Sequence, residues 1–288
     1  MSKTLNENAL INLVRVALAE DIGSGDATTL STVPEGLMAK AVLLAKEDLI
    51  CAGLPVAEKV FHELDANVVF TPLVEEGQFC EKGTFLAEIK GKAQELLTAE
   101  RTALNYLQRL SGIATTTAAY VKQTEGSKTE ILDTRKTTPG IRMLEKYAVA
   151  MGGGTNHRFA LYDRVMIKDN HRELAAMSGP GGIARSVRSA REKYPDLEIE
   201  VEADTLEEVA EAADAGAEYI LLDNMSNDEV KEAIKINGGR SLIEVSGGIT
   251  IERIPSLAAI EGVDFISVGA LTHHIKSVDI SLDIKVDG

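Results

Sequence analysis

Between about residues 130 and 270 the chain repeats short apolar, β-branched runs, each followed by a stretch with helical spacing, and nearly every run ends on charged, hydroxyl or glycine residues. Six runs stand out, beginning near Ile131 (ILDTRK), Val165 (VMIKDN), Glu198 (EIEVEAD), Tyr219 (YILLDNM), Ser241 (SLIEVSGG) and Asp264 (DFISVGA). Their alternation with helical segments such as TLEEVAEAADAG is the pattern of βα units and a parallel sheet. The ends of the runs carry Asp133, Arg135 and Lys136; Lys168 and Asp169; Glu202; Asp223; Ser246, Gly247 and Gly248; and Gly269. In an open sheet neighbouring strands lie about 4.8 Å apart, so six would spread these groups over more than about 20 Å. A closed or nearly closed barrel gathers them at one C-terminal rim, and barrels frequently bind phosphate in the loops after their last two strands. Those loops read SGGI and VGA, and small residues let backbone N–H groups approach an anion.

The flanking sequence follows another plan. Strand-like runs (AKAVLLAKEDLI, NVVFTPLV, GTFLAEIKG) and one helical run (LPVAEKVFHEL) precede a helical stretch from about Lys92 to Lys122, which predicts a separate α+β layer. The tail SVDISLDIKV alternates, with Val278, Ile280, Leu282 and Ile284 on one face and Asp279, Ser281 and Asp283 on the other. It is expected to be a strand that returns to the N-terminal sheet. The resulting division is an N-terminal domain of 1–112 completed by 274–288, and a barrel domain of 113–273.

A formal charge of −15 argues against nonspecific binding to nucleic acid or to an anionic membrane. The stretch from Arg101 to Arg172 runs the other way, with 12 Lys and Arg against 6 Asp and Glu, whereas the remainder carries 18 against 39. Such a stretch is either a solvated basic face or a pocket for a polyanionic small molecule, whose field low-dielectric walls focus. No apolar run reaches the roughly 18 residues of a membrane span, and the N-terminus mixes charge into its apolar positions, unlike a signal peptide, so a cytoplasmic protein is expected. Cys51 and Cys80 belong to no Cys-x-x-Cys pair and read as two buried thiols.

Within the basic stretch, Arg101 (ERTALN), Arg135 and Lys136 (DTRKTTPG), His157 and Arg158 (GGGTNHR) and Lys168 (VMIKDNH) sit where folding alone gives little reason for charge. One strand-end lysine simply snorkels. Four such sites in one segment suit a ligand bearing both carboxylates and phosphates, with arginine as a planar fork and lysine as a compact charge. Glu202 and Asp223, at successive strand ends, either neutralise neighbouring lysines or hold Mg2+, which one or two carboxylates typically bind together with substrate oxygens. His157 and His171 lack a metal-binding spacing. Gly152 to Gly154 reads as a plain flexible loop or as a mobile segment over the ligand.

Taken in order, EDIGSGDATT, ERTALNYLQRLSGIATTT, DTRKTTPGIR, GGGTNHR, IKDNH, LLDN, EVSGGI and DFISVGALTH run from residue 20 to 273 and resemble the quinolinate phosphoribosyltransferases, the nicotinate-nucleotide pyrophosphorylases (carboxylating) of NAD biosynthesis. The resemblance implies an α/β fold, an N-terminal α/β sandwich plus an incomplete, seven-stranded β/α barrel, one strand more than the six read above. It implies Mg2+-dependent transfer of phosphoribosyl from phosphoribosyl pyrophosphate to quinolinate, with loss of CO2 and pyrophosphate. On this footing Arg135, His157, Arg158 and Lys168 line the quinolinate pocket, Lys136 and Lys168 lie near the pyrophosphate, Thr137 binds substrate, and Glu202 and Asp223 hold the metal. Ser246, Gly247, Gly248 and Gly269 take the ribose 5-phosphate. The catalytic set is Lys136, Lys168, Glu202 and Asp223. Arg101 is expected to reach the neighbouring subunit's site, making the protein a homodimer. Two other readings are a transferase acting on nicotinate without decarboxylation, and a noncatalytic phosphate-binding protein.

Overall fold

The structure, a computed structural model, describes residues 4–177 and 181–286. In chain order its elements are α1 (Glu7–Ile22), α2 (Ala27–Thr32), β1 (Met38–Ala45), β2 (Leu49–Ile50), α3 (Leu54–Leu64), β3 (Val69–Pro72), β4 (Phe79–Cys80), β5 (Phe85–Lys92) and α4 (Ala93–Val121). Then follow β6 (Glu130–Leu132), α5 (Arg142–Met151), β7 (Val165–Ile167), α6 (Asp169–Ala176), α7 (Gly182–Lys193), β8 (Ile199–Ala203), α8 (Leu206–Asp214) and β9 (Tyr219–Asp223). The chain finishes with α9 (Asn227–Asn237), β10 (Leu242–Ser246), α10 (Ile254–Ala258), β11 (Phe265–Ser267), α11 (Ala270–His273) and β12 (Ile280–Val286). None of the described helices is long and apolar enough to cross a membrane. Two compact units result, one of Met1–Ala119, Lys136–Gly154 and Ala270–Gly288, the other of Tyr120–Arg135 and Thr155–Gly269.

The first unit is built on an antiparallel sheet in the order β12-β1-β5-β3. The last strand pairs with the first, Leu43 opposite Leu282, as the alternating tail predicts. Ile280 and Leu282 are buried while Asp279 and Asp283 are exposed. The long helix α4 lies close to the approach to β12, with Gln108 Nε2 donating to the Ile280 carbonyl at 2.8 Å. Gly112 permits that approach, because a Cβ there would stand 2.4 Å from the Lys276 carbonyl oxygen. A helix-interior glycine ordinarily gains about 1 kcal/mol on replacement by alanine. Here the sign reverses: Gly112→Ala is expected to lose about 1–3 kcal/mol through overpacking, measured as a lowered denaturant midpoint at unchanged slope. The glycines that open GGGTNHR serve packing as well. A Cβ on Gly152 would lie 2.4 Å from the Ala114 carbonyl, and one on Gly154 2.8 Å from Thr117 Cγ2, so these two residues seat the segment on α4 and form no free flap.

In the second unit six parallel strands run β6-β11-β10-β9-β8-β7. The seventh expected strand is reduced to one bridge, Thr155 beside Leu132 on the free edge of β6. Extension stops there because the carboxylate of Asp133, wholly buried, accepts the His157 N–H at 2.9 Å and the Asn156 side-chain amide at 2.8 Å. Registered neighbours share a face. Met166 pairs with Glu200, Glu202 with Leu221, Leu221 with Glu244 and Asp223 with Ser246, so these side chains look inward together. The sheet is strongly curled. Five strand spacings separate the Thr155 bridge from β8, about 24 Å if flat, yet His157 Nε2 lies 3.1 Å from Glu200 Oε2. Only an almost closed barrel brings the two edges so near.

Candidate active site

The C-terminal ends of the parallel strands carry Arg135, Lys168, Glu202, Asp223, Ser246, Gly247, Gly248 and Gly269 in the second unit, and the Thr155 segment adds His157 and Arg158. Arg101, Lys136 and Thr137 belong to the first unit. Arg101 projects from α4 with its side chain 61% exposed, and its nearest acid, Glu100, is 3.9 Å away.

His157 is buried and uses both ring nitrogens. Nδ1 accepts the Arg158 backbone N–H at 2.7 Å, and Nε2 faces Glu200 Oε2 at 3.1 Å and Glu244 Oε2 at 3.3 Å. Burial opposes a charge on the ring, but the two carboxylates outweigh it and raise the His157 pKa to about 9. Burial penalises Glu200 too, yet His157 and Arg164 hold it below the ordinary carboxylate value. Burial and the charge of Glu200 push Glu244 up. Such groups titrate as one cluster. In the neutral ring, the Arg158 N–H pointing into Nδ1 puts the proton on Nε2. Among the described residues this is the one group of three or more acids, histidines or cysteines close enough to share a metal ion. Both Glu244 carboxylate oxygens are buried there without a hydrogen-bond partner among the described residues.

The cluster fixes Arg158. Its guanidinium is half-buried and donates from Nη1 to the Arg164 carbonyl at 3.1 Å and from Nη2 to Met166 Sδ at 3.5 Å. Both acceptors are neutral. Burial, then the neighbouring charge of Arg135, holds its pKa below the usual arginine value. Two guanidiniums kept close in a half-buried place, one bonded to neutral atoms, make a seat for an anion.

Beyond this pair, Lys168 Nζ is ion-paired to Glu202 Oε2. The Lys168 N–H donates to His171 Nδ1 at 3.0 Å, which gives that histidine a capping role at the start of α6. On the next strand Asp223 accepts from the side-chain amide of Asn224 at 2.8 Å. Asn224 has a left-handed φ of 56°, and its N–H donates to the Ser246 carbonyl at 3.1 Å, tying the turns after β9 and β10 together. Gly247, with φ of 86°, is required there twice over, since a Cβ would come within 2.3 Å of Asn224 Oδ1.

Sequence reasoning gave no role to Glu200, Glu244 or Asn224. The signal for the first two was legible: strands buried on both faces normally read as unbroken apolar runs, whereas EIEVEAD and SLIEVSGG place acids on the inward-facing positions.

Comparison with known proteins bears on both units. The family model "Quinolinate phosphoribosyl transferase, N-terminal domain" matches residues 26–111, and its C-terminal counterpart matches 113–283. The chain is 44% identical over 283 residues to the probable nicotinate-nucleotide pyrophosphorylase [carboxylating] of Bacillus subtilis, covering 98% of this chain and 96% of that one. It is 40% identical over 295 residues to a chloroplastic nicotinate-nucleotide pyrophosphorylase [carboxylating] of Arabidopsis thaliana, covering 96% and 82%. The crystal structure of NadC from Streptococcus pyogenes superposes with a TM-score of 0.94 at 40% identity, covering 100% of both chains.

Proposed function

The chain belongs to the quinolinate phosphoribosyltransferase family, enzymes of NAD biosynthesis, and from that premise we propose that it transfers phosphoribosyl from phosphoribosyl pyrophosphate to quinolinate, releasing pyrophosphate and CO2. The observation that carries this reading is the half-buried Arg158 guanidinium beside Arg135, bonded among the described residues to a carbonyl and a thioether. Quinolinate carries two adjacent carboxylates, which two fixed forks can clamp. A diacid therefore fits better than nicotinate. His157 supports Arg158 from behind, Lys168 completes the acid pocket, and Ser246, Gly247, Gly248 and Gly269 receive the 5-phosphate.

Glu202 and Asp223 stand on the inward face at the ends of adjacent strands, an all-oxygen pair that fits Mg2+ once substrate oxygens complete the shell. Bound there, the ion supplies charge neutralisation for the departing pyrophosphate. Lys136 and Thr137 hold that anion as it leaves, and an oxocarbenium-like charge develops on the ribose. Arg135 and Arg158 align the pyridine nitrogen with C1, a positioning effect that supplies several kcal/mol. Ribosylation makes the ring cationic. That charge stabilises the carbanion left when the C2 carboxylate departs as CO2, so the chemistry calls for no Schiff base. Lys168, or a water it holds, returns the proton to C2. Lys168→Met is expected to lower CO2 release at least about 100-fold, measured under saturating quinolinate; near wild-type release would remove Lys168 from this step. The active unit is a homodimer to which Arg101 contributes across the subunit boundary. The protein works in the cytoplasm, where its two free, buried cysteines stay reduced.

The deciding assay follows pyrophosphate and CO2 from purified protein with Mg2+ and phosphoribosyl pyrophosphate, comparing quinolinate with nicotinate. Equal release of both products with quinolinate alone is expected. Turnover of nicotinate alone, or tight binding without turnover, would overturn the proposal.

A further inference from the structure

The three residues that follow Arg135 are held individually. The Lys136 carbonyl accepts from Thr272 Oγ1 at 2.6 Å, and Thr137 Oγ1 accepts from Arg142 Nε at 3.0 Å. Thr138 is held twice, its N–H by Glu145 Oε2 at 3.1 Å and its Oγ1 by Arg109 Nη2 at 2.8 Å. Arg109 on α4 and Glu145 on α5 form an ion pair buried at its acid end: Nε and Nη2 both reach Glu145 Oε1, at 2.9 and 2.6 Å, with the glutamate side chain 0% and the arginine side chain 29% exposed. Nη2 also points at the Thr272 carbonyl, 3.4 Å away. Thr272 thus accepts from Arg109 through its carbonyl and donates to Lys136 through its hydroxyl, so one guanidinium touches both supports of the loop.

Stability is a poor explanation for such a pair. Desolvating two charges costs about what their attraction returns, and apolar side chains of similar size in their place are often neutral or stabilising. The distinctive property of this one is where its spare hydrogen-bonding capacity goes. Glu145 Oε2 and Arg109 Nη2 converge on Thr138, and no apolar pair offers an acceptor and a donor together.

We propose that Arg109 and Glu145 are positioning residues that lock the backbone of residues 136–138 so that Lys136 and Thr137 present a preformed cradle to the pyrophosphate of phosphoribosyl pyrophosphate. The proposal rests on the function given above. Neither residue touches substrate; both act through Thr138. Arg101, two helical turns earlier on α4 and exposed, is a different matter, so ERTALNYLQR carries two arginines with separate tasks.

The test uses the full-length protein carrying Arg109→Met together with Glu145→Met, which removes both charges, so that neither is left without its counter-ion, and frees Thr138 from both holds. The double variant is expected to unfold at a denaturant midpoint close to wild type. Its kcat/KM for phosphoribosyl pyrophosphate is expected to fall about 10- to 100-fold, with the KM for quinolinate within about twofold of wild type. Amide exchange at Thr138, whose N–H Glu145 holds, is expected to speed up at least about tenfold without any ligand. A folded double variant with wild-type kcat/KM, or with both substrates weakened equally, overturns the proposal. So does wild-type exchange at Thr138, and that readout decides the matter even if the wild-type protein should prove inactive with these substrates. Should the double variant fail to fold, Thr138→Val, which removes only the hydroxyl that Arg109 holds, decides instead: a loss of about threefold or more confined to phosphoribosyl pyrophosphate is expected, and no change overturns the proposal.

Discussion

Arg158→Ala protein is expected to fold normally and to lose about 30- to 5,000-fold in kcat/KM for quinolinate, the equivalent of about 2–5 kcal/mol for truncating one partner of a desolvated charge pair. The reason lies in its surroundings. Its guanidinium bonds to the Arg164 carbonyl and to Met166 Sδ, and Arg135 stands nearby, so removing it strands no carboxylate of the protein. Stability should therefore change little, the relief at Arg135 standing against the lost attraction of Glu200 and Asp163. The KM for phosphoribosyl pyrophosphate should stay within about threefold. Arg158→Lys keeps the charge but not the planar fork, and is expected to recover only part of the loss. Activity of Arg158→Ala near wild type would remove the clamp from the mechanism. The same substitution should leave the His157 ring in place, since its Nδ1 takes the Arg158 N–H from the backbone and so stays engaged. The imidazole is thus expected to keep its tautomer in the variant, visible in its nitrogen chemical shifts.

The second large effect concerns Arg101. Its side chain is exposed and its closest acid is a sequence neighbour, so Arg101→Ala is expected to change stability by less than about 0.5 kcal/mol. Activity is nonetheless expected to fall at least about 100-fold. Mixing it with an equally inactive Glu202→Gln protein then discriminates the two ways Arg101 can act. If each site takes Arg101 from the partner, random exchange makes half the dimers hybrids, each with one intact site, and about one quarter of wild-type activity returns. If Arg101 serves its own subunit, no combination is whole and nothing returns. Verified subunit exchange without recovery would refute the shared site.

Much of this architecture is legible in the residues, and the exceptions have physical causes. The six strand runs and the alternating tail fold as read, because period-2 and βα patterns are local and each strand is long enough to show one. The seventh strand is not legible, since a single bridge at Thr155 has no period. Gly152 and Gly154 suggest motion in sequence and provide contact in space, because a missing Cβ reads the same whether it frees a backbone or admits a neighbour. Strand-end groups were identified through their position in the pattern. Glu200 and Glu244 needed the curled sheet to acquire meaning, for their partner His157 comes from the segment beside β6. Arg109 and Glu145 lie 36 residues apart on different helices, and nothing in either helix announces the other.

The pairing of β12 with β1 also sets an order of events during synthesis. Strand β1 is finished at Ala45, but its hydrogen-bonding edge on that side waits for Ile280–Val286. At 5–20 residues per second the wait is roughly 10–50 s, ample for the intervening parallel sheet to form first on the ribosome. Through that interval the newborn protein carries a bare strand edge, an invitation to pair with other nascent chains. Chains released early, by a premature stop or by proteolysis within the last ten residues, keep that edge permanently. Such products should aggregate through the first unit while the barrel between its segments remains intact.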